Sequence, residues 1–220
     1  MKSHGQKHPV MHCYNEYVID RGDSNFITND VMIKWFNDQY STSKHLLTLY
    51  TIARGLKAKK ILEVGFGRST PVLARAVYEN GGKMVSCDWD NFSELLTEKE
   101  QKVVEFVFGE VEQIWERDEG YDFAFLDYFS KPGKKIPYLM GEIKKCITKI
   151  KTNGVIAVHD VFMDNFRIGR AVEEVCKGED KVEYSFLPYN YGLGILIYRG
   201  DSKYGVTVKP NNLLKKENTN

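Results

Sequence analysis

Between residues 60 and 199 the chain alternates short apolar segments with amphipathic ones, and this alternation is the feature that most restricts its fold. Seven segments are predicted to be strands: Lys60–Val64, Lys83–Cys87, Val103–Phe108, Tyr121–Leu126, Gly154–His159, Val182–Leu187 and Gly194–Arg199. Most are separated by helical patterns, which favours a parallel sheet wrapped by helices. The gap at 188–193 is too short for a helix, so the last two strands should form an antiparallel hairpin. The fold class is therefore α/β, with a seven-stranded, mainly parallel sheet.

Capping residues, prolines and glycines indicate where the helices of this region begin and end. Thr70 as the N-cap, Pro71 as the first helical residue and Gly81 at the end predict a helix after the first strand. Two more helices are predicted: Pro137–Ile150, ended by Asn153 and Gly154, and about Phe166–Cys176, ended by Gly178.

The chain ahead of the first strand has a different pattern. Apolar residues recur at helical spacing from Asp30 to Lys57, which predicts one or two helices before the sheet. We divide the chain into an N-terminal segment and helical cap (1–58), a core (59–200) and a polar tail (201–220). A length of 220 residues suits a single domain containing all three parts.

Charge and hydropathy exclude several classes of protein. The net charge of +1 argues against a basic nucleic-acid clamp, so no nucleic-acid partner is predicted. No apolar run approaches the ~20 residues that span a bilayer, so no membrane association is predicted. The first residues lack the apolar stretch of a secretory signal, and a cytoplasmic location is expected. The sequence is compatible with a homodimer but does not fix the oligomeric state.

The cysteines and the N-terminal histidines follow no disulfide or zinc pattern. Four cysteines lie at wide spacings and are predicted to be free thiols: Cys13, Cys87, Cys146 and Cys176. Three histidines recur every four residues near the N-terminus: His4, His8 and His12. Because Gly5 and Pro9 interrupt any helix there, a tail with incidental metal affinity is the favoured interpretation.

The segment Lys60–Pro71 joins a strand to a helix through a turn with two glycines. Gly65 and Gly67 permit a sharp turn and the close approach of a ligand to the backbone. Glu63 places a carboxylate before them, and strand ends rarely keep one without a partner. A dinucleotide-binding turn would carry a third glycine where Thr70 stands, so NAD is the weaker ligand. An ordinary strand–turn–helix connection is the alternative.

This turn resembles motif I of class I S-adenosylmethionine (SAM) methyltransferases, commonly E/D-x-G-x-G-x-G, with Ser69 in place of the last glycine. The resemblance implies that Glu63 orders the turn and faces the amino-acid end of SAM. It implies that Gly65, Gly67 and Ser69 line the cofactor. It further implies a Rossmann-like methyltransferase fold with SAM as the cofactor of residues 59–200.

Acidic residues also end the next two strands. The resemblance implies that Asp88 accepts hydrogen bonds from both ribose hydroxyls and that Trp89 packs on the adenine. Glu110, after Gly109, resembles the acid of the family's "G-D-A" and would accept from the adenine amino group. Singly, each acid could be a helix N-cap or a solvated carboxylate. Together, at the carboxyl ends of successive strands, they point to one crevice.

Two more strands lead into Asp127 and Asp160, which neighbouring strands would place side by side. Adjacent carboxylates repel unless a cation or a base lies between them. These positions match the metal-binding aspartates of catechol-type O-methyltransferases. The motifs "L-D" and "G-V-I-x-x-H-D-V" resemble those of bacterial macrocin and sugar O-methyltransferases more closely still. The resemblance implies that both aspartates are candidate Mg²⁺ ligands, and that Asp127 also contacts the cofactor and takes part in catalysis.

The residue after Asp160 departs from that pattern. Catechol-type enzymes place Asn there, and the sugar enzymes Asp, as a third metal ligand, whereas this chain has Val161, which cannot coordinate. Asp164 or Asn165 could supply an oxygen, although their spacing does not match. At this stage a bound metal and a metal-free site are equally open.

His159 is a candidate catalytic base, because it lies directly before Asp160 at the end of a strand. Alternation along a strand would point His159 and Asp160 to opposite faces, unless the strand has already ended. A packed histidine bonded to a loop carbonyl is the alternative.

Aromatic residues are candidates for a lid over the acceptor. Four lie in loops at the carboxyl side of the sheet: Tyr128, Phe129, Tyr189 and Tyr191. Trp35 and Phe36 are instead expected to pack between helix and sheet.

The predicted activity is SAM-dependent O-methylation of a small hydroxylated molecule, the small-molecule acceptor being the main partner. Two alternatives are a SAM-binding scaffold or partner subunit without methyl transfer and, less favoured, an NAD-binding oxidoreductase. Asp127→Ala is expected to abolish transfer but spare SAM binding, and Gly65→Val to block SAM binding itself.

Overall fold

A computed structural model describes residues 29–90, 96–127, 135–163 and 165–207 of the chain. Several residues considered above lie outside these ranges: His4, His8, His12, Cys13, Tyr128, Phe129 and Asp164. Of the cysteines, Cys87, Cys146 and Cys176 are described, and all three are buried free thiols, as predicted.

The described residues contain one seven-stranded sheet. Its strands are β1 (Lys60–Val64), β2 (Lys83–Asp88), β3 (Val104–Phe108), β4 (Tyr121–Leu126), β5 (Ile150–His159), β6 (Val182–Leu187) and β7 (Leu193–Tyr198). Their order is β3-β2-β1-β4-β5-β7-β6. The first five run parallel, and β7 is antiparallel to both β5 and β6. The predicted α/β class and the terminal antiparallel hairpin are confirmed.

Helices cover both faces of the sheet. They are α1 (Asn29–Asn37), a 3-10 helix (Thr42–His45), α2 (Leu46–Gly55), α3 (Ser69–Glu79), α4 (Glu98–Gln101), α5 (Glu112–Glu116), α6 (Ile136–Lys149) and α7 (Arg167–Lys177). One apolar core joins the sheet to α6 and α7, and a second joins it to α2 and α3. In the described part of the chain, every helix is too short or too polar to cross a membrane. We call residues 29–55, which precede the sheet, the cap.

The predicted start of α3 is wrong by two residues. Arg68 is at the N-cap without a side-chain capping bond, the helix begins at Ser69, and Pro71 is its third residue. Thr70 is the second residue of the helix, and its hydroxyl donates to Glu63 and accepts from the Gly67 N–H instead of capping the helix.

The predicted end of α6 is also wrong. The helix ends at Lys149, and β5 begins at once with Ile150, so Asn153 and Gly154 lie inside the strand. The register between β4 and β5 shifts at this point, and Asn153 has a φ of +62°. Asn153 and Gly154 therefore mark an irregularity in the strand, where asparagine tolerates the left-handed conformation.

Candidate functional site

The glycine turn after β1 is wedged between two neighbouring strands. Gly65 has a φ of +102°, and a Cβ atom there would lie 2.6 Å from the backbone oxygen of Asp127. The Gly65 N–H donates to the Cys87 carbonyl at 2.9 Å. Only glycine suits this position, since it tolerates the positive φ and leaves room for the backbone of Asp127.

Glu63 is fully buried at the base of this turn. Its carboxylate accepts hydrogen bonds from three hydroxyls, those of Ser69 at 2.6 Å, Thr70 at 2.5 Å and Ser86 at 2.7 Å. Burial raises the pKa of Glu63 to about 8, the three hydroxyls oppose that rise, and the charge of Asp127 adds to it. The geometry ties β1, β2 and the start of α3 together, as expected of a residue that orders the turn.

Asp88 lies at the end of β2 and binds the same turn. Its carboxylate accepts the Phe66 N–H at 2.8 Å and the Asp90 N–H at 3.2 Å. Trp89 follows with 48% of its side chain exposed, and Glu110 is exposed at the end of β3. These acids therefore share one edge of the sheet with the glycine turn, as the sequence predicts. Their roles toward SAM stay predictions.

Asp127, His159 and Asp160 meet at the carboxyl ends of β4 and β5. The Nδ1 atom of His159 lies 2.7 Å from Oδ1 of Asp127 and 3.4 Å from Oδ1 of Asp160. β5 ends at His159, and Asp160 has a φ of +57°, which turns its side chain to the same side as the histidine. The pairing of the two aspartates was predicted from the sequence, but the face of the sheet to which the His159 side chain points was not. We call these three residues the acid–imidazole cluster.

Burial and charge act in opposite directions within the cluster. Burial disfavours the charged form of His159, but the charges of Asp127 and Asp160 and the hydrogen bond to Asp127 raise its pKa above the ordinary value. Burial also raises the pKa of Asp160, and the charge of Asp127 adds to the effect. The imidazole between the two carboxylates is thus the group that relieves their repulsion.

The cap covers this cluster with polar groups. The Thr42 hydroxyl donates to Oδ2 of Asp127 at 3.1 Å, and the Ser41 side chain hydrogen-bonds to Asp160. His45 follows on the same short helix, fully buried, with its ring centroid 5.2 Å from that of His159 and 4.7 Å from that of Tyr189. None of these three cap residues was predicted from the sequence.

His45 is an unusual buried histidine. Neither of its ring nitrogens has a hydrogen-bond partner among the described residues, and the same holds for Nε2 of His159. Burial and the neighbouring His159 lower the pKa of His45 to about 4. Buried polar atoms normally find a partner, so an ordered water or a ligand is expected at these nitrogens.

A buried ion pair connects the cap to the glycine turn. Arg68 Nε lies 2.7 Å from Oδ2 of Asp38, and the guanidinium stacks on the Tyr40 ring at 3.7 Å. Burial raises the pKa of Asp38, but bonds from Ser43, the Tyr40 N–H and Arg68 outweigh this and hold it below the ordinary value.

An apolar cavity of about 550 Å³ opens on the outer side of the cap. It is lined by Trp35, Phe36, Ser43, Lys44, Leu47, Thr48, Tyr189 and Asn190. Phe36 is 81% exposed, so the expectation that it packs in the core is wrong, whereas Trp35 is buried as expected. Tyr189 lines this cavity, and its ring also contacts the imidazole of His45.

The donor atoms of the cluster decide which ion would suit it. Val161 is fully buried and offers no donor, and Asn165 is exposed. The histidine supplies the third donor that Val161 does not, so one donor atom each from Asp127, His159 and Asp160 lies within 4.8 Å of the others. Two carboxylates and one imidazole fit a divalent ion, although Mg²⁺ prefers oxygen alone.

Several solved structures align with this chain over most of its length. The O-methyltransferase TomG of Streptomyces achromogenes, in complex with SAM, aligns with a TM-score of 0.61 and 17% identity, over 91% of this chain and 100% of that chain. The Bacillus cereus O-methyltransferase, in complex with SAH, aligns with a TM-score of 0.60 and 18% identity, over 80% of this chain and 94% of that chain. The chain has a Rossmann-like methyltransferase fold. Comparison of the sequence with family models and with curated proteins finds no match.

A third solved structure has a similar fold. The SAH-bound Podospora anserina methyltransferase PaMTH1 aligns with a TM-score of 0.55 and 16% identity, over 79% of this chain and 89% of that one. At such identity the likeness concerns the fold alone. Within this methyltransferase fold, the glycine turn and the acid–imidazole cluster occupy the carboxyl edge of the sheet, where open α/β sheets bind ligands.

Proposed function

We propose that this chain transfers the methyl group of SAM to an oxygen atom of a small hydroxylated molecule. One arrangement carries the proposal: the backbone of Gly65 lies against Asp127, whose side chain bonds His159. A ligand held by the glycine turn would therefore end beside a buried acid and imidazole. SAM and SAH in solved structures with this fold support the choice of cofactor.

The cofactor side is shaped by the turn itself. The positive φ of Gly65 makes the turn sharp, and Gly67 continues the partly exposed surface that a ligand would contact. Ser69 is fully buried and supports this surface from below through its bond to Glu63. We assign Asp88 to the ribose hydroxyls, Trp89 to the adenine face, and Glu110 to the adenine amino group. Glu63 acts from beneath, because its carboxylate is fully buried and already accepts three hydroxyl bonds.

The acceptor side is built from the acid–imidazole cluster. When bound, SAM supplies a methyl group on a positively charged sulfur. Asp127 is the accessible member of the pair, with 19% of its side chain exposed against 2% for His159. Asp127 therefore faces the acceptor hydroxyl, and when no ion is bound the proton of that hydroxyl passes to the pair formed by Asp127 Oδ1 and His159 Nδ1. Thr42 holds the second oxygen of Asp127 and so fixes the direction of the carboxylate.

A divalent ion would be held by Asp127 and Asp160 with His159, and it would lower the pKa of the acceptor hydroxyl. The cavity beside Tyr189 supports an acceptor with an apolar body, since its walls are mainly apolar and aromatic.

The experiment compares SAM affinity with methyl transfer in matched variants. Asp127→Ala is expected to lower transfer at least about 1,000-fold while SAM affinity changes less than about 3-fold. Gly65→Val should abolish SAM binding, and Gly55→Ala serves as its control because a Cβ there meets nothing within 4 Å. Asp88→Asn, which keeps an acceptor for the Phe66 N–H, gives a second binding variant if Gly65→Val fails to fold.

Transfer is followed as SAH formation over a panel of catechols, other phenols, sugars and macrolides. SAM binding without transfer to any of these would favour a scaffold, and thermal stabilisation by NAD instead of SAM would favour an oxidoreductase. Full transfer by Asp127→Ala would contradict the assignment of the site.

A further inference from the structure

The distribution of histidines in this chain is uneven. Of its five histidines, three lie within residues 4–12. The other two, His45 and His159, come from distant parts of the sequence, yet their rings lie 5.2 Å apart in a T-shaped arrangement. Both are buried: His159 lies beside Asp127 and Asp160, and His45 lies close enough to Asp127 to interact with its charge. Every histidine in the described part of the chain therefore contributes to one small region.

The spacing of the donor atoms suits a single ion. His159 Nδ1 lies 2.7 Å and 3.4 Å from one oxygen each of Asp127 and Asp160. Ligands bound at about 2.1 Å to a common ion are themselves separated by roughly 3 to 3.5 Å. An ion could thus be bound with small side-chain shifts.

The second observation is the unsatisfied imidazole of the cap. His45 is fully buried beside the cluster, and neither of its nitrogens has a partner among the described residues. A buried polar group without a partner lowers the stability of the folded state. An ion in the cluster, or a water molecule bound to that ion, would supply the partner that is absent among the described residues.

We propose that Asp127, His159 and Asp160 bind a divalent ion of the first transition series, with His159 Nδ1 as the third protein ligand. His45 lies next to this site and bonds the ion or a water on it. The chemistry of the donors supports this, because imidazole suits zinc, iron and related ions, whereas Mg²⁺ prefers an octahedron of oxygens. The site differs in this respect from the Mg²⁺ site that the sequence resemblance implies.

The role of this ion in methyl transfer rests on the proposed function, but ion binding does not. Binding is measured without SAM or acceptor, so the metal site and the methyl transfer can fail separately.

The N-terminal histidines require a background variant. His4→Gln, His8→Gln, His12→Gln and Cys13→Ser are introduced together in the full chain, so that the tail cannot bind the added metal. Equilibrium dialysis against Mg²⁺, Mn²⁺ and Zn²⁺ is then expected to give one bound Zn²⁺ or Mn²⁺ per chain. Binding that disappears with the tail substitutions would overturn the proposal.

The decisive variant is His159→Asp in that background. Nearly every protein metal site binds Zn²⁺ more tightly than Mg²⁺. The quantity to compare between variants is therefore the ratio of the Zn²⁺ affinity to the Mg²⁺ affinity. Replacing the imidazole with a carboxylate is expected to lower the Zn²⁺-to-Mg²⁺ preference at least about 100-fold. Asp118→Asn, at an exposed ion pair with Lys203, is the control and should leave it unchanged. An equal preference in His159→Asp and the background would overturn the proposal.

A spectroscopic measurement keeps the test valid if His159→Asp does not fold. Pulsed electron paramagnetic resonance of one equivalent of Cu²⁺ in the tail-substituted protein should show the nitrogen couplings of a bound imidazole. His45→Gln should weaken Zn²⁺ binding by about 10- to 100-fold, as expected for a group next to the ligands. Absence of nitrogen couplings would overturn the assignment of His159.

Discussion

The two halves of the carboxyl edge, the glycine turn and the acid–imidazole cluster, differ in how fully their acidic side chains are hydrogen-bonded. Beneath the glycine turn, Glu63 has three hydroxyl donors and is shielded from solvent. At β4 and β5, Asp127 and Asp160 share one imidazole, and three imidazole nitrogens nearby lack partners among the described residues. Both halves bury carboxylates in the same sheet, so the difference lies in how completely the protein satisfies them.

This difference distinguishes a structural group from a group that receives a ligand. A fully bonded acid stabilises the fold and has no capacity left for a substrate. Incompletely bonded groups lower stability and persist where function needs them. The comparison therefore predicts that substitutions in the two halves will change stability in different directions.

The largest expected effect is at Glu63. Glu63→Ala removes the acceptor of three buried hydroxyls, at roughly 1 to 3 kcal/mol each, so the free energy of unfolding should fall by about 4 kcal/mol. Asp160→Asn, measured by denaturant unfolding in the presence of a chelator, should change it by less than about 1 kcal/mol or increase it, because repulsion with Asp127 is removed. Equal losses in the two variants would contradict the comparison.

The next effect is at the ion pair between cap and turn. Asp38→Ala leaves Arg68 buried without its carboxylate and should lower the free energy of unfolding by about 3 kcal/mol. Glu174→Ala breaks an exposed ion pair with Lys177 and should cost less than about 0.5 kcal/mol. Comparable losses in urea titrations of both variants would show that the cap is not anchored through Arg68.

A pH effect is expected from Glu63. Its pKa is raised from 4.5 to about 8 in the folded protein, so the folded state binds a proton that the unfolded state releases between these values. Stability from this group is therefore complete below pH 4.5, declines as pH rises toward 8 and is lost above it. Comparing urea titrations of the protein and Glu63→Gln from pH 5 to 9 checks this, since the variant should lack that part of the slope. An unchanged slope in Glu63→Gln would exclude Glu63 as its source.

The smallest effect is expected at the outer rim of the cap. Thr48→Val removes the 2.7 Å hydrogen bond to the Tyr189 hydroxyl, which is exposed, and should lower the free energy of unfolding by about 0.5 kcal/mol. Thr148→Val, which removes a bond within α6, is the matched control for the substitution itself. A loss above about 2 kcal/mol in Thr48→Val alone would mean that the rim is part of the stable core.

The sheet and the acids at its edge were predictable because their signals are local. Alternating apolar segments define each strand, and the last residues of parallel strands, with those that follow them, lie at one carboxyl edge of the sheet. Glu63, Asp88, Asp127 and Asp160 could therefore be placed on one edge from sequence alone. The start of α3 was misplaced because Thr70 bonds Glu63, a contact that depends on how the turn folds back.

The cap's contribution could not be predicted in the same way. Thr42, His45 and Asp38 reach the site through the packing of residues 29–55 on the sheet, and no spacing rule connects them to Asp127 or Arg68. His159 was intermediate, because the sequence showed its position but not that β5 ends there and Asp160 turns back. The left-handed Asp160 is what converts two adjacent residues into neighbours on one side.

The Arg68–Asp38 pair also has a consequence for redesign. Since the guanidinium leaves the same short loop that carries Gly65 and Gly67, a foreign lid grafted in place of residues 29–55 must bring its own buried carboxylate. A transplant without that carboxylate would leave a buried cation unpaired beside the glycine turn, so the turn and the new lid would be destabilised together.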